Sequence, residues 1–212
     1  MFDPGVACCF YAALALWVLG YPEQAIKRIR ESLSLADKLS HPSSSVFALS
    51  GAAWAHRLLR DEQAVQRYSE MALALSAEYG LRNWVGMATI NQGWVLAEQG
   101  QKMEGIAQIQ EGVDNWRATG AENSLPYDLA ILAEAYGKAG KPEEGLAVLA
   151  EALEITKKNG ERWYEAETYR LKGELILQQF QVSGSKLQVT KSPESGVRGP
   201  ESEAEECFLK AI

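Results

Sequence analysis

The sequence is short of the residues that build metal, redox and catalytic sites. Among 212 residues there are 3 Cys and 2 His. Cys8 and Cys9 are adjacent in an apolar stretch and Cys207 lies far away, with no C-x-x-C pair and no zinc-type Cys/His spacing. That pattern excludes a disulfide scaffold and points to a reduced, cytoplasmic setting. Positive charge is scarce as well. Lys and Arg number 21 against 28 Asp and Glu, a net charge of −7, whereas a phosphate-backbone binder needs a basic face. No nucleic-acid partner is expected. Phosphate loops are missing too, since Gly137-Lys138, Gly140-Lys141 and Gly184-Ser185-Lys186 lack the required flanks. Neither a G-x-S-x-G elbow nor an H-E-x-x-H helix occurs. The acid pairs Glu143/Glu144 and Glu205/Glu206 fall at helix starts, where they complement the dipole. The expectation is a chain with no catalytic residue, no metal and no cofactor.

Long hydrophobic runs are nearly absent. The exception is Val6 to Leu19, 14 apolar residues in a row. It is too short to span a bilayer and lacks a basic segment before it, so no membrane partner is expected. The better reading is a helix apolar on almost every side. A helix ending a repeat stack should show a polar face to water. Its lack of one, with a last helix that stops early at Ile212, suggests an excerpt of a longer protein, and a homodimer through the first helix is one way to cover it.

What the sequence does have is punctuation. Glycine falls at 20, 80, 100, 120, 140 and 160, with Ser40, Arg60 and Phe180 at the gaps in the series. Glycine tolerates the left-handed conformation that stops helices, so the beat reads as helices of roughly 15–18 residues. Start signals keep the same time at Asp3-Pro4, Pro22-Glu23, Ser43 to Ser45, Asn123-Ser124 and Pro142-Glu143-Glu144. Two helices make a repeat of about 40 residues. In that register Ala13, Ala53, Gly93, Ala133 and Gly173 form one small-residue column. Ala25, Ala64, Gly105, Gly145 and Ala204 form a second, each preceded by Gln or Glu, with Ile29, Tyr68, Ile109, Leu149 and Phe208 four positions on. Small residues let paired helices approach, and the large one fills the space beside them.

The predicted architecture is therefore all-α, a solenoid of five helical hairpins. It forms one repeat domain over 1–212, with units near 3–42, 43–82, 83–122, 123–162 and 163–212. Residues 181–202, rich in Ser, Gly and Pro, read as a flexible insert within the fifth hairpin.

These columns resemble tetratricopeptide (TPR) repeats, with longer helices than that family's usual unit. The strings PGVACCFYAALALWVLGYPEQAI, WVLAEQGQ, LAEAYGKAGKPEEGLAVLAEALEI, GERWYEAETYRLKGELIL and AEECFLKAI are similar to the C-terminal repeat region of large bacterial signalling proteins. In those, an ATPase module of the AAA or STAND type, often with an adenylate/guanylate cyclase domain, lies upstream. The resemblance implies a regulatory, non-enzymatic segment with a concave groove lined by the first helix of each hairpin. Carried over position by position, that groove would show Phe10, Leu14 and Trp17, then Phe47, Trp54 and Arg57, then Met87, Ile90, Asn91, Trp94 and Glu98. Tyr127, Glu134 and Lys138, and then Glu167, Arg170 and Glu174, would follow. Of the carboxylate-clamp positions found in chaperone-adaptor relatives only Asn91 has the right type, so a chaperone tail is not the expected ligand. A protein or peptide segment, including upstream parts of the same polypeptide, is the expected partner. The alternatives are a small-molecule inducer site and a structural or oligomerisation spacer. The main competing assignment for Trp54 and Trp94 is burial between helices.

Overall fold

The computed structural model describes residues 1–81, 84–184 and 199–212. Among these residues the secondary structure is ten helices and no strand. They are α1 (Pro4–Val18), α2 (Pro22–Leu39), α3 (Pro42–Leu58), α4 (Glu62–Tyr79), α5 (Val85–Glu98), α6 (Lys102–Ala118), α7 (Leu125–Lys138), α8 (Pro142–Asn159), α9 (Glu165–Gly184) and α10 (Pro200–Lys210). Six of them carry Pro in the first turn, at Pro4, Pro22, Pro42, Pro126, Pro142 and Pro200, where a missing N–H costs nothing. Asp3 caps α1 by accepting from Gly5 N (2.8 Å) and Val6 N (3.2 Å).

The twenty-residue beat has a backbone cause. All six glycines of the series have φ between 65° and 91°. Two of the gaps obey the same rule without glycine, Ser40 at φ 50° and Arg60 at φ 58°. A side chain in that region costs about 1–2 kcal/mol. Ser40→Gly should therefore stabilise the chain by about 0.5 kcal/mol once the larger unfolded-state entropy of glycine is deducted. Urea melts of the two chains check this, and a less stable Ser40→Gly protein would count against it.

At the third gap, Phe180, the beat fails because α9 continues to Gly184. The expected insert at 181–202 needs correcting at both ends. Residues 181–184 prolong α9, with no glycine or proline to stop it before Gly184. Residues 200–202 open α10, with Pro200 in the first turn. Residues 185–198 lie outside the described residues.

The chain packs as two compact units, Met1–Ala121 with α1 to α6 and Glu122–Ile212 with α7 to α10. In the first unit α3 is the spine, with twelve of its seventeen residues buried. The α1–α2 hairpin covers one side. Ala48 packs with Val6, Ala7 and Ala36, while Ala52 and Ala55 pack with Ala13, Ala25 and Ile29. Asp3 N donates to Ser44 Oγ (2.9 Å), and Ser32 Oγ donates to the Val6 carbonyl (3.0 Å). On the other side Leu49 meets Ala72 and Ala88. The α5 and α6 helices approach most closely where Gly86 and Gly93 face Gly112 and Gly105.

The second unit is built the same way. Ala130, Ala133, Leu149, Leu171 and Leu175 share one core, and Ile176, Ala204 and Cys207 share another. Gln178 Nε2 donates to the Gly137 carbonyl (2.9 Å). Glu161 accepts from Ser124 N (3.0 Å) and from Trp163 Nε1 (3.0 Å), which ties the turn before α7 to the turn before α9. The small-residue column lies where close helix contact demands it. Ala13, Ala53 and Ala133 are buried, and a side chain at Gly93 or Gly173 would collide with the partner helix.

Candidate functional site

Most of the expected groove floor is interior. Phe47, Trp54, Arg57, Ile90, Asn91, Trp94 and Tyr127 are all 6% exposed or less. The expectation that Trp54 and Trp94 line an open floor is therefore corrected. Both indoles are core, and the same holds for Phe47 and Ile90. The physical reason is the spine character of the first helices: they are apolar nearly all round, and packing against neighbouring helices buries most of their residues. Asn91, the one residue of clamp type, is fully buried, and neither its amide oxygen nor its amide nitrogen has a hydrogen-bond partner among the described residues.

The aromatic residues gather instead into an internal cluster. Phe2 stacks on Phe47 at 4.2 Å between centroids, and Phe10 meets Phe47 and Trp54 edge-on at 5.5 Å each. Trp84 closes the group at 5.5 Å from Phe47 and 6.0 Å from Phe2. Sequence reasoning missed Phe2 and Trp84, which lie outside the regular helix columns. Aromatic residues just before a helix start were the available signal. In the second unit Tyr127 packs against Trp163 (5.2 Å) and Tyr164 (4.6 Å).

What stays accessible falls into two kinds. Phe10, Leu14, Trp17 and Leu58 are half-buried and rim an apolar crevice of about 10 Å³ over Ala25, Ile29 and Trp54. The remaining surface residues of the expected groove are half-buried, apart from the exposed Glu174, and are charged, apart from Met87. Arg60, exposed at the end of α3, reaches Glu98 (3.3 Å) and lies 6.0 Å from the Trp94 ring centre. Glu134 pairs with Lys138 (3.1 Å), and Arg170 holds Glu167 (2.6 Å) and Glu174. The Glu167 hydrogen bond raises the Arg170 pKa above its ordinary value, so the guanidinium is charged at any working pH.

The nucleophile candidates are quiet. Burial, then the charge of Glu31, pushes the Cys9 thiol up, and burial does the same to Cys207. His56 shares Asp61 with the α4 N-terminus: Asp61 Oδ2 lies 3.0 Å from His56 Nδ1 while Oδ1 accepts from Ala64 N (3.1 Å). That is a structural pairing. Among the described residues no cluster of three His, Cys, Asp or Glu could hold a metal, and no helix is long and apolar enough to cross a membrane.

No family model matches the chain. An uncharacterized protein of Rhizobium meliloti (strain 1021) is 25% identical over 158 residues, a match covering 74% of this chain and 15% of that protein. Among solved structures, a kinesin light chain from Podosopora anserina with nearly identical TPR-like repeats superposes with a TM-score of 0.54 at 17% identity, over 100% of this chain and 95% of that one. A single-substitution variant of the same protein gives a TM-score of 0.54 at 16% identity. With ten helices paired in register and no strand among the described residues, the fold of this chain is all-α and TPR-like.

Proposed function

We propose that this chain is a non-catalytic, regulatory protein-interaction segment of a larger bacterial signalling protein, cytoplasmic and read as one repeat domain over 1–212. Its ligand is a peptide or protein segment. The TPR-like fold supports the class, and the bacterial relative supports the setting, since the match occupies a small part of a much longer polypeptide.

The observation that carries the ligand class is the crevice rimmed by Phe10, Leu14, Trp17 and Leu58. Small-molecule sites enclose about 300–1,000 Å³. At about 10 Å³ the crevice takes little more than one water-sized group, which suits the tip of a single side chain and disfavours an inducer pocket. Arg60 and Glu98, at the end of the helix that carries Leu58 and on the next first helix, supply polar groups that would orient the backbone of such a segment.

Selection of displayed peptides on the purified chain tests this. Recovered peptides should share one aliphatic anchor and bind with micromolar Kd. Leu14→Asp should weaken them at least tenfold while far-ultraviolet circular dichroism stays that of the parent. Selection that yields no binder, or equal affinity for a folded Leu14→Asp chain, defeats the reading.

A further inference from the structure

The first helix leaves bare a face that its repeat equivalents keep covered. On α3 the residues turned toward the preceding hairpin are Ser44, Ala48, Gly51, Ala55 and Leu58. They bond or pack with Asp3, Val6, Phe10, Ala13 and Ile29 of the first hairpin. The same positions are used twice more. On α5, Ala88 packs with Leu49 and Ala72; on α9, Leu171 and Leu175 pack with Ala130, Ala133 and Leu149. Forty residues before the α3 set stand Pro4, Cys8, Tyr11, Ala15 and Val18, and all five are exposed, Tyr11 by 57% and Val18 by 59%. No residue of this set is charged.

We propose that this face of α1 is a docking surface for one more helical hairpin of the same class, carried on the same polypeptide and seated as α1–α2 is seated on α3. The occupant in each covered case is the hairpin that precedes in sequence, joined by a short turn, so the interface on α1 continues one that the fold already uses. The fit is specific in one respect. Gly51 has no side chain because the Phe10 ring occupies its place; a Cβ there would lie 2.7 Å from Phe10 Cδ2. In the next pairing the sizes reverse, with Ser50 at the Phe10 position and Asn91 at the Gly51 position. In the second unit Ala130 and Leu171 stand at those positions in one core. With Tyr11 at the Gly51 position, the docking hairpin must carry a small residue where Phe10 stands. This inference uses a different surface from the crevice and does not depend on the ligand assigned to it.

Cys8 reports on the face, because it is exposed and its α3 equivalent Ala48 is buried. The test extends the full chain by a copy of residues 121–160 placed directly ahead of Met1, which keeps the register and brings Ala130 opposite Tyr11. Alkylation of Cys8 by N-ethylmaleimide, read by peptide mass mapping, should be at least tenfold slower than in the 212-residue chain. A copy of residues 1–40, its own cysteines replaced by Ala, should protect Cys8 only together with Tyr11→Gly in the original α1. If neither extension slows the reaction, by misfit or by failing to fold onto α1, the proposal is wrong. It is equally wrong if Cys8 of the 212-residue chain is already protected in a dimer, since a second copy is then the occupant.

Discussion

Gly105→Ala should destabilise the chain by an amount at the upper end of about 1–3 kcal/mol, although alanine is the better helix former. A Cβ at Gly105 would sit 2.5 Å from the Gly93 carbonyl oxygen and 2.6 Å from Ala97 N. Those are backbone atoms of α5, and neither can swing aside. The converse holds at Gly93, where a Cβ meets Gly105 O and Ile109 N at 2.7 Å each. Gly93→Leu should therefore cost at least as much as Gly105→Ala. Gly137 supplies the control. Its Cβ would meet Leu175 Cδ2 at 2.6 Å, the far end of a flexible side chain. Rotation of Leu175 together with the gain in helix propensity should leave Gly137→Ala within about 0.5 kcal/mol of the parent. Urea unfolding followed by circular dichroism separates the cases, and a Gly105→Ala chain as stable as the parent would mean that α5 and α6 lie further apart than described.

These glycines show what the sequence makes legible. Helix ends announce themselves because a left-handed residue is a local requirement, and even Ser40 and Arg60 keep the beat at its gaps. Close helix approach is legible too, since it admits only small residues and so writes a column every forty positions. The exposed side of the first helices was not legible. An amphipathic helix declares its wet face, but α3 and α7 are apolar nearly all round, so periodicity assigns residues to shared faces without saying which face meets water. Family positions placed Trp54 and Trp94 in the groove; in this chain both indoles are buried in the interior. The α9 helix was misjudged for a related reason. Gln181 to Gly184 carries no apolar pattern, yet the helical hydrogen bonding of α9 continues through it.

Burial moves the consequence of losing Trp54 from binding to stability. The indole is 3% exposed, meets Phe10 edge-on at 5.5 Å and forms part of the base of the crevice. Removing it takes away the largest side chain there and leaves a cavity between α1 and α3 that helices fixed by short turns cannot close. Trp54→Ala should cost about 3–5 kcal/mol, much of the stability of an ordinary domain. Trp94 behaves differently. It is equally buried, but its Nε1 has no hydrogen-bond partner among the described residues, so the folded state carries the desolvation cost of that group. Trp94→Phe keeps a ring beside Arg60 and removes the N–H, so lost volume and relieved desolvation oppose each other. The net change should stay below about 1.5 kcal/mol. Thermal melts of the two variants, with sizing to confirm that each remains soluble, give the comparison. A Trp54→Ala chain that melts with the parent would put the indole on the surface and restore the open aromatic groove.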